Sequence, residues 1–269
     1  MKTVHRIKGN IEPLGLIFSA LGGVVLLFIV APLAGMALRT SPEELIQTGA
    51  QREVLESIWM SLWTSMAATL LFALASIPFA YLLARKTFPG KRLVNAIVDL
   101  PIVIPHSAAG IAILGFISRD SLLGRAAQRV GIEFIGGAPG IMLAMAFVSL
   151  PFLINAARDG FCAVPERLEK AARNLGASPA RVFFTISLPL AWRAILSGLI
   201  MMWARGLSEF GAVVVVAYHP MTAAVLIYER FGAFGLKYAR PISVILIGVC
   251  LLFFVAVRLL ARERSHAPR

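Results

Sequence analysis

Residues 164–189 read VPERLEKAARNLGASPARVFFTISLP, and within that one polar stretch two helices begin in succession. Pro165 occupies a first helical position and Gly176 falls just past the end, the asymmetry of a helix closed by a left-handed glycine. Leu168, Ala171, Ala172 and Leu175 recur at i, i+3, i+4 and i+7, giving one small apolar face, while Glu166, Arg167, Glu169, Lys170 and Arg173 lie largely elsewhere. The second helix starts at once. Ser178 is a favourable N-cap, Pro179 fits N1, and Val182, Phe183 and Ile186 supply an apolar face before Pro189 stops or kinks the helix.

On both sides this stretch runs into hydrophobic sequence. The chain is 58% hydrophobic and 15% charged, against roughly 45–50% and about 25% in a soluble domain. Its apolar residues come in blocks of about 20, the length that crosses a hydrocarbon core as a helix. Six spans are expected, at 14–38, 58–84, 96–117, 140–157, 194–217 and 242–260. The double helix start sits in the longest connection, 158–193. Lipid is the expected solvent, and the fold class is all-α, with residues 1–269 forming a single transmembrane domain.

The net charge of +12 could serve nucleic acid, but its placement follows the membrane instead. With the N-terminus inside, the inner segments hold Lys2, Arg6, Lys8, Arg85, Lys86, Lys91, Arg92, the basic residues of 158–193, and Arg258, Arg262, Arg264 and Arg269. Fewer basic residues fall outside, among them Arg39, Arg52, Arg119, Arg125 and Arg129. The positive-inside rule places both termini in the cytoplasm of a cell inner membrane protein. The first apolar run is longer than a signal-peptide core and reads as an uncleaved anchor. Cys162 and Cys250 have no paired spacing, so neither a disulfide nor a metal site is expected. Ser41 and Pro42 begin a small outer helix, and 119–138 and 218–240 read as interfacial or partly immersed.

A helix-turn-helix reading of AARNLGASPARVFF fails on context, because the flanks enter the bilayer and leave no scaffold for a recognition helix. The stretch resembles instead the loop of type I ABC importer permeases, whose signature is Glu-Ala-Ala, three residues, Gly, nine residues, Ile, one residue, Leu-Pro. Here it stands as Lys170-Ala171-Ala172, Gly176, Ile186 and Leu188-Pro189. Spacing is complete. The departure is Lys170 in the Glu position, with Glu169 one place earlier, which puts any single salt bridge to an ATPase in doubt. The resemblance implies that Glu169, Lys170, Ala171, Ala172, Gly176, Ser178, Pro179, Ile186, Leu188 and Pro189 form an elbow docking on a separate ATPase subunit. No GxxxxGK[ST] phosphate loop occurs, so ATP and Mg belong to that partner and this chain carries no cofactor.

Two further strings, VDLPIVIPHSAAGIAIL (98–114) and WARGLSEFGAVVVVAY (203–218), are similar to permeases of molybdate and tungstate importers, with sulfate permeases as cousins. This likeness implies a homodimer with two ATPase subunits and an extracytoplasmic oxyanion-binding protein. Read from the residues alone, Asp99, His106, Arg205 and Glu209 are ionisable groups in or near spans, where they face a bundle interior or a wet path. Arg205 and Glu209, spaced i, i+4, either neutralise each other or act in a pathway or gate. Ser107, Ser149 and Ser208 are further donors, and Pro101 and Pro105 kink the third span. A secondary transporter is the competing class, but it has no use for an ATPase-docking elbow. An enzyme is disfavoured, because His5 and His266 sit at the termini and no cluster has catalytic spacing.

Overall fold

The computed structural model describes residues 13–263, with side chains described for 14–255. Lys2, His5, Arg6, Lys8, Arg264, His266 and Arg269, and the side chains of Arg258 and Arg262, lie outside the described residues. Helices α1 (Pro13–Leu38), α2 (Pro42–Gly49), α3 (Arg52–Arg85), α4 (Lys91–Val103), α5 (His106–Ile117), α6 (Leu122–Arg129) and α7 (Ala138–Ala163) form the first half. Then follow α8 (Glu166–Asn174), α9 (Pro179–Val182), a π-turn (Phe183–Ser187), α10 (Leu188–Leu207), α11 (Gly211–Val216), α12 (Ala223–Phe234) and α13 (Leu236–Glu263). Among the described residues the secondary structure is all-α. Five helical stretches are long and apolar enough to span a membrane, and the α4–α5 pair makes a sixth if taken as one broken span.

Helix α7 is the centre, packed between α3 and α10. Small residues permit that approach: a Cβ on Gly160 would meet Ala194 Cβ at 2.5 Å, and one on Gly198 would meet Ala156 Cβ at 2.9 Å. At one end Ile141, Ala144, Met145 and Val148 close on Ala212, Val213 and Val216. At the other, Leu83, Phe161 and Ile195 do the same. Helix α3 turns Ser57, Ser61, Thr64, Ser65, Thr69 and Ser76 inward, and all are buried. Their hydroxyls return to their own helix, as Ser61 does to the Ser57 carbonyl at 2.9 Å and Thr69 to the Ser65 carbonyl at 2.8 Å. Polar side chains thus serve as small packing units at no hydrogen-bonding loss. Helix α1 buries none of its apolar window, which only a lipid-like surrounding or another chain makes tolerable.

The expected spans differ from the helices in instructive places. The third span (96–117) is not one rod: α4 and α5 meet at 112°. Pro105 pushes Ile104 into the extended region (φ −72°, ψ 145°), ending a helix that Pro101 alone does not end. The fifth (194–217) breaks after Leu207. Ser208 is the C-cap of α10, and the Glu209 carboxylate, one residue before the N-cap Phe210, accepts the Ala212 N–H at 2.9 Å in the first turn of α11. The 158–193 connection shrinks to residues 164–178 between the two long helical stretches, because α7 runs on to Ala163 and helical backbone resumes at Pro179. Pro189 does not stop that helix: it is an early residue of α10, directly after the π-turn, and α10 continues to Leu207. Pro165 is the N-cap of α8 rather than its first residue (φ −62°, ψ 122°). Residues 119–138 and 218–240 contain the helices α6 and α12, and Ser41 forms a full capping box with Glu44 at the start of α2.

Candidate functional site

The elbow is fixed first by backbone chemistry. Gly176 has φ +87°, the left-handed conformation that only glycine takes freely. It lets the Gly176 N–H reach the Arg173 carbonyl at 2.9 Å and the Ala177 N–H reach the Ala172 carbonyl at 3.0 Å, a Schellman closure of α8. Ser178 then accepts the Arg181 N–H at 3.3 Å and starts α9. The apolar stripe of α8 points outward: Leu168 is 41% exposed and Leu175 89%. Ala171 is also exposed and Ala172 half-buried. Most of this stripe is thus left exposed.

What α8 turns inward is Glu169, the one buried residue of that helix, which lies off the apolar stripe as the periodicity predicts. Arg85, the last residue of α3, donates from Nε at 2.9 Å and pairs through Nη2 at 2.8 Å to the same oxygen, Oε1. Ser187 donates to Oε1 at 2.7 Å and Tyr81 to Oε2 at 3.2 Å. Arg85 also donates to the Val164 carbonyl at 2.9 Å. Tyr81, Phe161 and Phe183 pack edge-on or tilted around the site. Burial pushes the Glu169 carboxyl upward, but the Arg85 and Ser187 hydrogen bonds and the Arg85 charge outweigh it. The net direction is downward, so Glu169 is an anion at neutral pH. Lys170 faces away and pairs with Glu166 at 3.0 Å, both exposed. Pro179 and Pro189 are exposed, whereas Ile186 and Leu188 are half-buried, Leu188 against the core.

The second assembly lies where the two helix breaks meet. Glu209 is fully buried. Its Oε2 is 2.8 Å from Arg205 Nη1 and 3.2 Å from His106 Nδ1, and Arg205 Nη2 lies 2.9 Å from His106 Nε2. Gly211 permits the junction, since a Cβ there would meet His106 Cβ at 2.8 Å. Of the two alternatives for Arg205 and Glu209, pairing is what the geometry shows, with His106 as a third member. Asp99 stands apart, accepting from Asn155 Nδ2 at 2.6 Å. Ser208 and Ser149 bond their own helix carbonyls, Arg205 at 3.1 Å and Met145 at 2.6 Å, and do not converge on the triad. Ser107 lies beside His106 at the start of α5, where its N–H is 3.4 Å from the place a Gly211 Cβ would occupy.

Arg85, Tyr81, Ser187 and Asn155 were not singled out from the sequence. Arg85 had been read as one more inner-surface charge, and nothing local distinguishes it from Lys86; its partner lies 84 residues away.

Residues 76–266 match the family described as binding-protein-dependent transport system inner membrane component. The molybdate/tungstate transport system permease protein WtpB of Thermococcus kodakarensis is 46% identical over 251 residues, covering 93% of this chain and 96% of its own. The protein of the same name from Methanocaldococcus jannaschii is 42% identical over 243 residues, covering 90% and 95%. The sulfate transport system permease protein CysT of Synechocystis is 29% identical over 243 residues, covering 88% and 85%. Among solved structures, a chain of a bacterial ABC transporter importing alginate superposes with a TM-score of 0.73 at 17% identity, covering 94% and 97%. A chain of the inward-facing methionine transporter MetNI gives 0.61 at 17% identity, covering 83% and 99%. Those two likenesses speak for the fold, that of ABC importer transmembrane subunits. The family match over residues 76–266 and the 46% identity over 93% of the chain, together with the apolar helices, make one assignment: the chain is a multi-pass membrane protein and belongs to the family of binding-protein-dependent transport system inner membrane components.

Proposed function

We propose that this chain is the permease subunit of an ATP-driven importer that passes molybdate or tungstate into the cytoplasm. The observation that carries the mode of action is the inverted elbow. Helix α8 keeps its carboxylate inside and leaves Leu168, Ala171 and Leu175 outside, a small apolar ridge suited to a groove of an ATPase subunit. Lys170, Gly176, Ser178 and Pro179 shape that ridge, and Ile186, Leu188 and Pro189 connect it to the spans. Two copies of the chain form the path between them, two ATPase subunits bind ATP and Mg, and an external binding protein delivers the anion. The substrate reading is supported by the 46% identity to a permease named for molybdate and tungstate. A tetrahedral dianion needs scattered donors rather than a deep charged trap, which agrees with an Arg205 already neutralised by Glu209. His106, Arg205 and Glu209 then act as a latch across the two helix breaks, with Ser208 next to Glu209 in the chain and Asp99 held separately by Asn155.

Reconstituted with its binding protein and ATPase, the permease is expected to support faster ATP hydrolysis when molybdate or tungstate is added. Stimulation by sulfate alone would move the assignment to the CysT-like relatives, and stimulation only by sugars or amino acids would end the oxyanion reading. The orientation has its own test in a background lacking Cys162 and Cys250. Single cysteines at the exposed positions Gln47 and Gln128 should react with an impermeant external thiol reagent, while one at Ala180 should not. Gln128 serves better than its neighbour Ala127, which is only 7% exposed. The opposite labelling pattern would invert the topology.

A further inference from the structure

We propose that Glu169 is a positioning residue for energy coupling: an internal strut through which movement of the docking helix α8 reaches α3 and the π-turn that opens the α9–α10 span. The inference rests on the docking reading above and assigns how the docked helix is connected to the spans. Helix α8 has a single buried side chain, and that carboxylate makes its polar link to the rest of the chain through Arg85, Ser187 and Tyr81. Both oxygens are occupied, Oε1 by Arg85 and Ser187 and Oε2 by Tyr81. Arg85 adds the Val164 carbonyl, binding the end of α7 into the same node. One anion thereby ties the docking helix to the ends of α3 and α7 and to the π-turn.

The surroundings suit a rigid joint. The Arg85 and Glu169 side chains are 10% and 5% exposed, so water screens the pair weakly and the geometry is held from several sides. Ser187 is fully buried and lies in the π-turn, where the helix is wound more loosely than in an ordinary turn. A push on α8 is therefore delivered to the least regular turn of the neighbouring span. The exposed Glu166–Lys170 pair on the same helix has no such reach and serves as the internal control.

Glu169→Gln keeps the shape but loses the charge, and one amide NH2 then faces donors. In the permease alone, hydrogen exchange of residues 166–176 is expected to rise about tenfold, the scale of one lost hydrogen bond to a charge, with α7 unchanged. Ser187→Ala and Tyr81→Phe each remove one donor and should loosen α8 by less, and Glu166→Gln should not loosen it. In the reconstituted complex with molybdate, Glu169→Gln should still retain the ATPase through its outer apolar ridge and hydrolyse ATP, while molybdate taken up per ATP falls severalfold. Unchanged exchange over 166–176 overturns the strut. So does loosened exchange with wild-type uptake per ATP, or uptake and hydrolysis that fall together in proportion to assembled complex. A wild-type permease that retained no ATPase at all would overturn the docking reading, and this proposal with it. Intact docking with unaltered uptake per ATP overturns the proposal alone.

Discussion

Arg205→Gln is expected to remove roughly 3–5 kcal/mol of stability, the usual penalty for stranding one member of a buried ion pair. Glu209 is fully buried, so without Arg205 its charge faces only His106 at 3.2 Å and the Ala212 N–H. Glu209→Gln should be milder. Arg205 is 21% exposed and can turn its charge toward water, while a glutamine carbonyl still accepts the Ala212 N–H. The double change should be more stable than Arg205→Gln alone, with a coupling of about 1 kcal/mol or more. Thermal unfolding of the solubilised permease in a four-member cycle measures this. Strict additivity would show that the two side chains do not work as a pair and would remove the latch reading of the two helix breaks.

Gly176→Val should leave the amount of permease in the membrane nearly unchanged and sharply reduce uptake. No atom lies within 4 Å of a Cβ built there, so the penalty is backbone strain rather than collision. At φ +87° a non-glycine residue costs about 1–2 kcal/mol, and a β-branched one more. The strain is relieved by opening the Schellman closure, which lets α8 swing and misdirects Leu168, Ala171 and Leu175. Gly176→Asn, a tolerated left-handed residue, should retain most of the uptake. Co-purification of the ATPase, together with uptake, reads the result; normal values of both in the valine variant would falsify the docking role of the elbow.

These three residues stand out in the sequence for different reasons. Gly176 announces itself by position, after a run with helical periodicity and before Ser178-Pro179, and the left-handed cap follows from local sterics. Arg205 and Glu209 announce themselves by being charged inside apolar sequence. Their i, i+4 spacing allows pairing without deciding between it and a pathway role, and His106 comes from a helix about a hundred residues away, with no periodicity to link it to them.

The proline-bearing spans show the boundary between the two kinds of information. That something interrupts residues 96–117 follows from Pro101 and Pro105. That the bend reaches 112° depends on α11 packing against α5, with Gly211 clearing space for His106. At Pro189 local sterics predict a stop or a kink, whereas in the structure a π-turn at Phe183–Ser187 precedes the proline and helical backbone continues through it.

By itself, then, the sequence determined the solvent, the helices, the family likeness and the elbow's outline. These depend on composition, on periods of a few residues and on single-residue conformational limits, all of which act within one turn or one span. Tertiary structure alone decided that the elbow's apolar face is left mostly exposed and that Glu169 is buried against Arg85, Tyr81 and Ser187. A charged residue on an amphipathic helix is by default a solvated one, and only the meeting of α3, α7, α8 and the π-turn supplies enough donors to hold that anion out of water.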